Sequence, residues 1–289
     1  MLSALVCFGL SPGAQAIDPA APDTALAGGN TADGQGALLS LTTGRYNTAI
    51  GFDSLLINSS TSFNTGVGAG TLLLNTGTDN TAVGAGALLS NHTGSENNAV
   101  GAFALFTNDS DAAGMGNFNN AHGRGALQDN VDGTENEAFG DLALTLNLAS
   151  HNTAMGDDAL DANTTGDGNT ALGREAGNSI TTGNNNVCIG HFGGVGIVTA
   201  NNSIAIGVSA TGPFADLSNT CFIGTTLSNA HCLFLSFRAL GGTKGGSFAK
   251  VCTRARWEGR GIKEFFPKAT VPKPTHPRQT VTQRRHHVL

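Results

Sequence analysis

A glycine, in most cases preceded by an apolar residue, recurs at Gly34, Gly51, Gly68, Gly84, Gly101, Gly123, Gly140, Gly156, Gly173, Gly190, Gly207 and Gly224. The spacings are 17, 17, 16, 17, 22, 17, 16, 17, 17, 17 and 17 residues. A period this regular describes a stack in which each repeat contacts mainly its neighbours, so it overrides the two-domain expectation that length alone would suggest. Recurrent Gly and Asn exclude an α-helix. Alternation within the repeat, as in Asn47-Thr48-Ala49-Ile50-Gly51 and Asn169-Thr170-Ala171-Leu172-Gly173, reads as a strand whose successive side chains point to opposite faces.

The residue before each Gly forms a column of Ile50, Val67, Val83, Val100, Phe139, Met155, Leu172, Ile189, Ile206 and Ile223. An apolar column of this kind is expected to form the stacked interior, with the Thr column on the same inner side because it accepts Val187 and Ile204. The intervening Ala column would then face the other way and let another backbone layer or another subunit approach closely. A second apolar pair follows three and four residues after the Gly, as in Ser54-Leu55, Ala87-Leu88 and Ala126-Leu127, and fits a second short strand. Asn/Thr/Gly-rich stretches such as His92-Thr93-Gly94 close the coil as turns. Twelve rungs at about 4.8 Å make a rod roughly 50 Å long. A 17-residue coil encloses few side chains, which favours self-association, most simply as a trimer.

The rung motif, with its variant Asn202-Ser203-Ile204-Ala205-Ile206-Gly207, resembles the head repeat of trimeric autotransporter adhesins of the YadA type. The longer rung from Asn80 to Asn97 is similar to a related repeat of exported bacterial proteins, and together the two cover about two thirds of the chain. The resemblance implies a left-handed parallel β-roll in a homotrimer, at the cell surface, outer membrane or outside the cell, binding matrix, cells or glycans. No heptad stalk or membrane-anchor strands follow the last rung, a departure from that family's architecture.

The segment Met1 to Ala16 has an apolar run ending in Ala14-Gln15-Ala16, a small-x-small pattern that reads as a signal peptide for export. Residues 17–29 are then a linker, 30–227 the repeat domain and 228–289 a tail. The rod and the tail have opposite charge: residues 1–227 hold three basic and 19 acidic residues, and the last 62 hold 12 basic and two acidic. The tail reads either as an irregular basic segment that contacts anionic polymers or a membrane surface, or as the product of a reading-frame slip. No stretch approaches the roughly 18 apolar residues of a membrane helix.

The spacing of 22 before Gly123 places five extra residues within Phe106 to His122, and loops on rigid scaffolds often carry binding. Asn108, Asp109, Asp111, Met115, Asn117 and Phe118 are therefore the candidate contact residues. His122 interrupts the apolar column, and Asp33 at its start reads as an exposed end rung. Paired acids such as Asp157-Asp158 do not recur from rung to rung and fit solvated turns better than catalytic carboxylates. No zinc spacing joins Cys188, Cys221, Cys232 and Cys252. Five Asn-x-Ser/Thr matches are what a sequence rich in Asn and Thr contains by chance. The Thr ladder suggests ice binding, but it is interrupted at Asn98, Asn120, Glu137 and Val187 and assigned to the interior. The expected protein is a non-enzymatic surface rod without cofactor or metal, whose partners are its own copies and a matrix, cell-surface or glycan ligand rather than nucleic acid. The alternative is a phage tail-fibre-like module that binds or degrades carbohydrate.

Overall fold

In a computed structural model of the chain, the described residues are 26–109, 116–210, 216–224, 232–236, 251–257 and 262–265, the last three segments as backbone only. They form an all-β solenoid. Its parallel strands are β1 (Thr31–Asp33), β2 (Thr48–Ile50), β3 (Thr65–Val67), β4 (Thr81–Val83), β5 (Asn98–Val100), β6 (Asn120–His122), β7 (Glu137–Phe139), β8 (Thr153–Met155), β9 (Thr170–Leu172), β10 (Val187–Ile189), β11 (Ile204–Ile206) and β12 (Thr220–Ile223). Each pairs with the next in the register of the sequence repeat, for example Thr48↔Thr65, Ala49↔Gly66 and Ile50↔Val67. Beyond β12 the backbone turns antiparallel through β13 (Cys232–Ser236), β14 (Val251–Trp257) and β15 (Ile262–Phe265). Pairing with β13 covers the open edge of the parallel stack.

The two faces of the strands are the reverse of the sequence expectation. The Ala column is inside: Ala49, Ala82, Ala99, Ala121, Ala138, Ala154 and Ala171 are fully buried. The aliphatic column is outside, with Ile50 at 40%, Phe139 at 39% and Leu172 at 47% exposure. Thr48, Thr65 and Thr81 also face outward. The cause is volume. Each coil from Gly51 to Asn169 also buries a Leu and two Asn side chains, and the two coils that follow bury an Ile instead of the Leu; this leaves little room opposite them, for a methyl group in most rungs. Cys188, the larger occupant at β10, fits because Gly194 on the same coil has no side chain; a Cβ there would collide with the Cys188 sulfur. Phe222 occupies the same column at β12, where no further parallel rung lies above it.

The expected second strand is a run of β-turns. Ala37 N–H bonds Gly34 O and Leu39 N–H bonds Gly36 O, both i→i+3 bonds with φ > 0 at the third residue, at Gly36 and Leu38, as in type II turns. Alternate N–H groups reach neighbouring coils instead, as Leu55 N–H does to Thr71 O at 2.9 Å. The pattern forces Leu38, Leu55, Leu72, Leu88, Leu105, Leu127, Leu144 and Leu160 into the left-handed region, at φ between 50° and 54°. That conformation costs about 1–2 kcal/mol per residue. Burial of the whole side chain, worth about 1.5–3 kcal/mol, offsets it. At the opposite corner Gly51 has φ 126°, and a Cβ there would lie 2.5 Å from Gly68 O of the next rung. This clash explains the Gly column that marks the repeat.

Two asparagine ladders run through the interior. In the outer one, from Asn30 and Asn47 to Asn186 and Ser203, each Asn Oδ1 accepts the backbone N–H of the equivalent residue one rung on, at 2.8–3.1 Å over ten steps. Each Nδ2 donates to a turn carbonyl at 2.8–3.0 Å. In the inner one, each Asn from Asn75 to Asn163 donates through Nδ2 to the Oδ1 of the previous member, beginning at Asn58, at 2.7–3.5 Å. Buried amides are destabilising unless paired, by about 1–3 kcal/mol each, so the ladders tie every rung to the next. The residues read from sequence as turn formers thus do their main work in the core.

Candidate interaction surface

The inner Asn ladder explains where the repeat changes length. Asn91 Nδ2 donates to Gly94 O, three residues on, across the turn that closes the coil. In the 16-residue coils the same clamp spans two residues, Asn75 to Gly77 and Asn147 to Ala149. In the 22-residue coil it spans eight, Asn108 to Gly116 at 2.7 Å. One turn therefore absorbs every insertion and deletion while the rung above and below keeps its register.

This placement corrects the candidate contact set. Asn108 is a fully buried ladder member. Asp109 is also buried, and its carboxylate accepts from the Thr93 backbone N–H at 2.7 Å and hydroxyl at 2.6 Å. Asn117 Oδ1 accepts from Ser95 N–H. Phe118, at 48% exposure, is the member that presents a surface, while Asp111 and Met115 lie outside the described residues. Four of the sequon asparagines, Asn58, Asn91, Asn108 and Asn163, are the inner ladder itself, buried away from any modifying enzyme.

The residues of the predicted rung do form continuous columns, but the aliphatic one is a surface feature. From Ile50 to Ile223 it places one apolar side chain per rung on the solvent face, interrupted by His122, whose ring stacks on Phe139 at 4.6 Å and 4°. The Thr column beside it is equally outward, which removes the interior assignment as an objection to ice binding; the breaks at Asn98, Asn120, Glu137 and Val187 remain.

A third outward column, four positions before the aliphatic one, runs Gly29, Tyr46, Phe63, Asp79, Glu96, Phe118, Glu135, His151, Gly168, Asn185, Asn202 and Asn219. All of its members have φ between 55° and 72°. Between this column and the Thr column lie two shallow open grooves that share Glu96. One is lined by Asp79, Thr81, Glu96, Asn97 and Asn98, the other by Glu96, Phe118, Asn120, Glu135 and Glu137. Asn120 Nδ2 donates to Glu137 Oε1 at 2.8 Å, and Asn98 Nδ2 lies 3.3 Å from His122 Nε2, so both amides are held in place. Sequence reading missed this column because its members share no residue type, only a backbone conformation.

Reactive chemistry is sparse on this scaffold. Burial pushes the Cys188 thiol up to about 12, which keeps it protonated and inert, and Cys221 is likewise raised by burial; both are free thiols. Burial, then the neighbouring Asp157, Glu175 and Asp141, raises the Asp158 carboxyl. Asp161 is raised in the same way, by burial first. Slight burial pushes Asp216 up, but N–H groups of Val198, Thr199 and Ala200 converge on its Oδ1 at 2.7–2.9 Å and outweigh this, holding it below the ordinary carboxylate range. In lower coils a backbone carbonyl fills that nest, as Ser59 O does for Thr42, Thr43 and Gly44. Among the described residues no three His, Cys, Asp or Glu side chains are grouped to hold a metal ion, and no helix is long and apolar enough to cross a membrane. No protein-family model, no curated protein and no solved structure matches this chain.

Proposed function

We propose that the protein is an exported, non-enzymatic rod that mediates attachment to matrix, cells or glycans, assembled as a homotrimer like the adhesin heads its repeat resembles. The observation that carries this reading is the outward aliphatic column. Soluble monomers rarely leave so long an apolar stripe in water, and such stripes mark association sites. Covering it would contribute about 1 kcal/mol per side chain, or about 10 kcal/mol per chain over ten rungs. Association costs about 4–15 kcal/mol, so the gain is of the size an oligomer needs. The stripe also replaces the Ala column as the face on which subunits meet, since the Ala side chains are inside. The Ala14-Gln15-Ala16 pattern supports export.

Light scattering on the purified chain, paired with retention on matrix proteins and cultured cells, tests the reading. A species of three chains that is retained supports it, and Leu172→Glu should shift that species towards single chains. A folded monomer removes the trimer. Release of reducing sugar from a glycan panel contradicts the non-enzymatic assignment.

A further inference from the structure

The left-handed column is where the scaffold and its side chains disagree. Gly and Asn are the residues that this conformation suits, and Gly29, Gly168, Asn185, Asn202 and Asn219 occupy it at both ends of the rod. Between them stand Tyr46 at φ 55°, Phe63 at φ 61° and Phe118 at φ 59°. The strained Leu residues on the opposite side of the coil are compensated by complete burial. These aromatics are not: Tyr46 is 57%, Phe63 56% and Phe118 48% exposed. Phe103, at φ 60° and 47% exposure, shows the same combination singly in another column; only here do three such aromatics lie in one column, at positions that Gly or Asn fill elsewhere in it. Uncompensated strain of this kind is a marker of function.

We propose that this column is a binding track for an extended neutral or amino-substituted glycan, which names the ligand of the attachment reading above and rests on that reading for its biological setting only. Tyr46 and Phe63 stack on one another at 5.4 Å and 17° and make one exposed apolar contact point; Phe118, three rungs along, makes a second. The C–H groups of sugar rings contact exposed aromatic side chains of this kind. Between and beside these contact points, Asp79, Glu96 and Glu135 supply acceptors for hydroxyl and amino groups. Asn98 and Asn120, each anchored to a neighbouring rung, add donors in fixed positions. The two grooves joined at Glu96 run along this line. Rungs repeat at about 4.8 Å, close to the advance of one sugar in an extended β-linked chain, so successive rungs meet successive residues. The carboxylates disfavour uronate and sulfated chains. The track lies beside the aliphatic column, four positions away along the coil, and shares no residue with it.

The test is a pull-down of the full chain on chitin, chitosan and cellulose beads, with immobilised polygalacturonate as the acidic comparison. Retention on at least one of the first three, and none on polygalacturonate, is expected. Tyr46→Asn, Phe63→Asn and Phe118→Asn, combined, should lower the retained fraction at least tenfold and leave the melting temperature unchanged or raised, because Asn suits the left-handed backbone. No retention of the parent chain overturns the proposal, as does equal retention of the triple variant or preference for polygalacturonate. A fall in melting temperature large enough to unfold the variant overturns it too, since the aromatics would then be structural. Retention on matrix proteins or cells by a chain that fails these bead assays would leave the attachment reading standing and remove only this ligand.

Discussion

The coils up to Asn163 and the two that follow fill the same interior in different ways. In the lower coils a left-handed Leu and an inner-ladder Asn share the space, as Leu127 and Asn130 do; in the coils that begin at Gly173 and Gly190 the pair becomes Gly177 with Ile180 and Gly194 with Ile197. The outer ladder continues unchanged through both regions, as far as Asn186 and Ser203. The difference separates two kinds of buried amide. Inner Asn Oδ1 atoms mostly receive other side-chain amides, and the turn carbonyls they cap are also capped from the outer ladder, as Gly166 O is by both Asn163 and Asn152; where Ile180 replaces the inner Asn, Asn169 still caps Gly183 O. An inner Asn can therefore give way to Ile without orphaning a carbonyl. Outer Asn Oδ1 atoms receive backbone N–H groups that have no other partner in the coil, so that ladder cannot be exchanged for apolar residues.

The largest effect should come from breaking the outer ladder. Asn119→Ala removes the acceptor of Asn136 N–H and a donor to Gly133 O, and we expect a loss of about 4 kcal/mol, read from chemical denaturation. At the end of the inner ladder, Asn163 Oδ1 has no partner among the described residues because Ile180 stands above it. Asn163→Ala should accordingly cost about half as much, and equal losses at the two sites would erase the distinction drawn between the ladders.

The exchange of one core for the other makes a second, smaller test. Gly177→Leu alone should destabilise by about 2 kcal/mol through overpacking, since a Cβ at Gly177 already lies 2.9 Å from Leu160 Cδ2 and 3.3 Å from Ile180 Cδ1. Adding Ile180→Asn restores the lower-coil pair and gives Asn163 Oδ1 a donor, so the double variant should return to within about 1 kcal/mol of the parent, a coupling visible in a double-mutant cycle.

Two pH effects are smaller still. The folded Cys188 thiol, at about 12 against an ordinary 9.0, stays protonated where the unfolded thiol ionises. Its contribution is complete below pH 9 and is lost as pH rises from 9 towards 12. At neutral pH a thiol reagent should label Cys221 and spare Cys188 until the chain unfolds. Asp216 has the opposite sign: its carboxyl is depressed, so its contribution is present above the ordinary carboxylate pKa and is lost on acidification through the folded value. Hydrogen exchange at Val198, Thr199 and Ala200 should rise on acidification ahead of the lower coils.

Period, rung count and the end of the parallel stack near Gly224 could all be read from sequence because the Gly column marks a corner where no Cβ fits. The orientation of the strand could not. Alternation identifies two faces and leaves open which is inside; the larger side chains go inward only when the coil has volume for them, and here Leu and Asn have already taken it. The ladders were hidden for a related reason. Asn recurs at Asn47, Asn64, Asn80 and Asn97 as strictly as Gly does, but Asn is also the commonest kind of turn residue, and only the rung-to-rung register shows its amide bonded to a neighbouring coil. Of the candidate contact residues, Phe118 is exposed because it belongs to the left-handed column that faces outward at every rung, and not because the irregular coil lies beside it. Asn108 and Asp109 looked alike in sequence and turned out to be the clamp that isolates the insertion from the rod.

Side-chain amide hydrogen exchange, resolved by NMR for individual Asn Nδ2 groups, tests the interior ladders most directly and does so whatever the oligomeric state. The Nδ2 protons of Asn64, Asn97, Asn119 and Asn136 should exchange at least a hundredfold more slowly than those of Asn185 and Asn202, which are exposed on the left-handed column. Exchange of all six at similar rates would mean that the asparagines face water, and the account of how this solenoid holds its rungs together would fail.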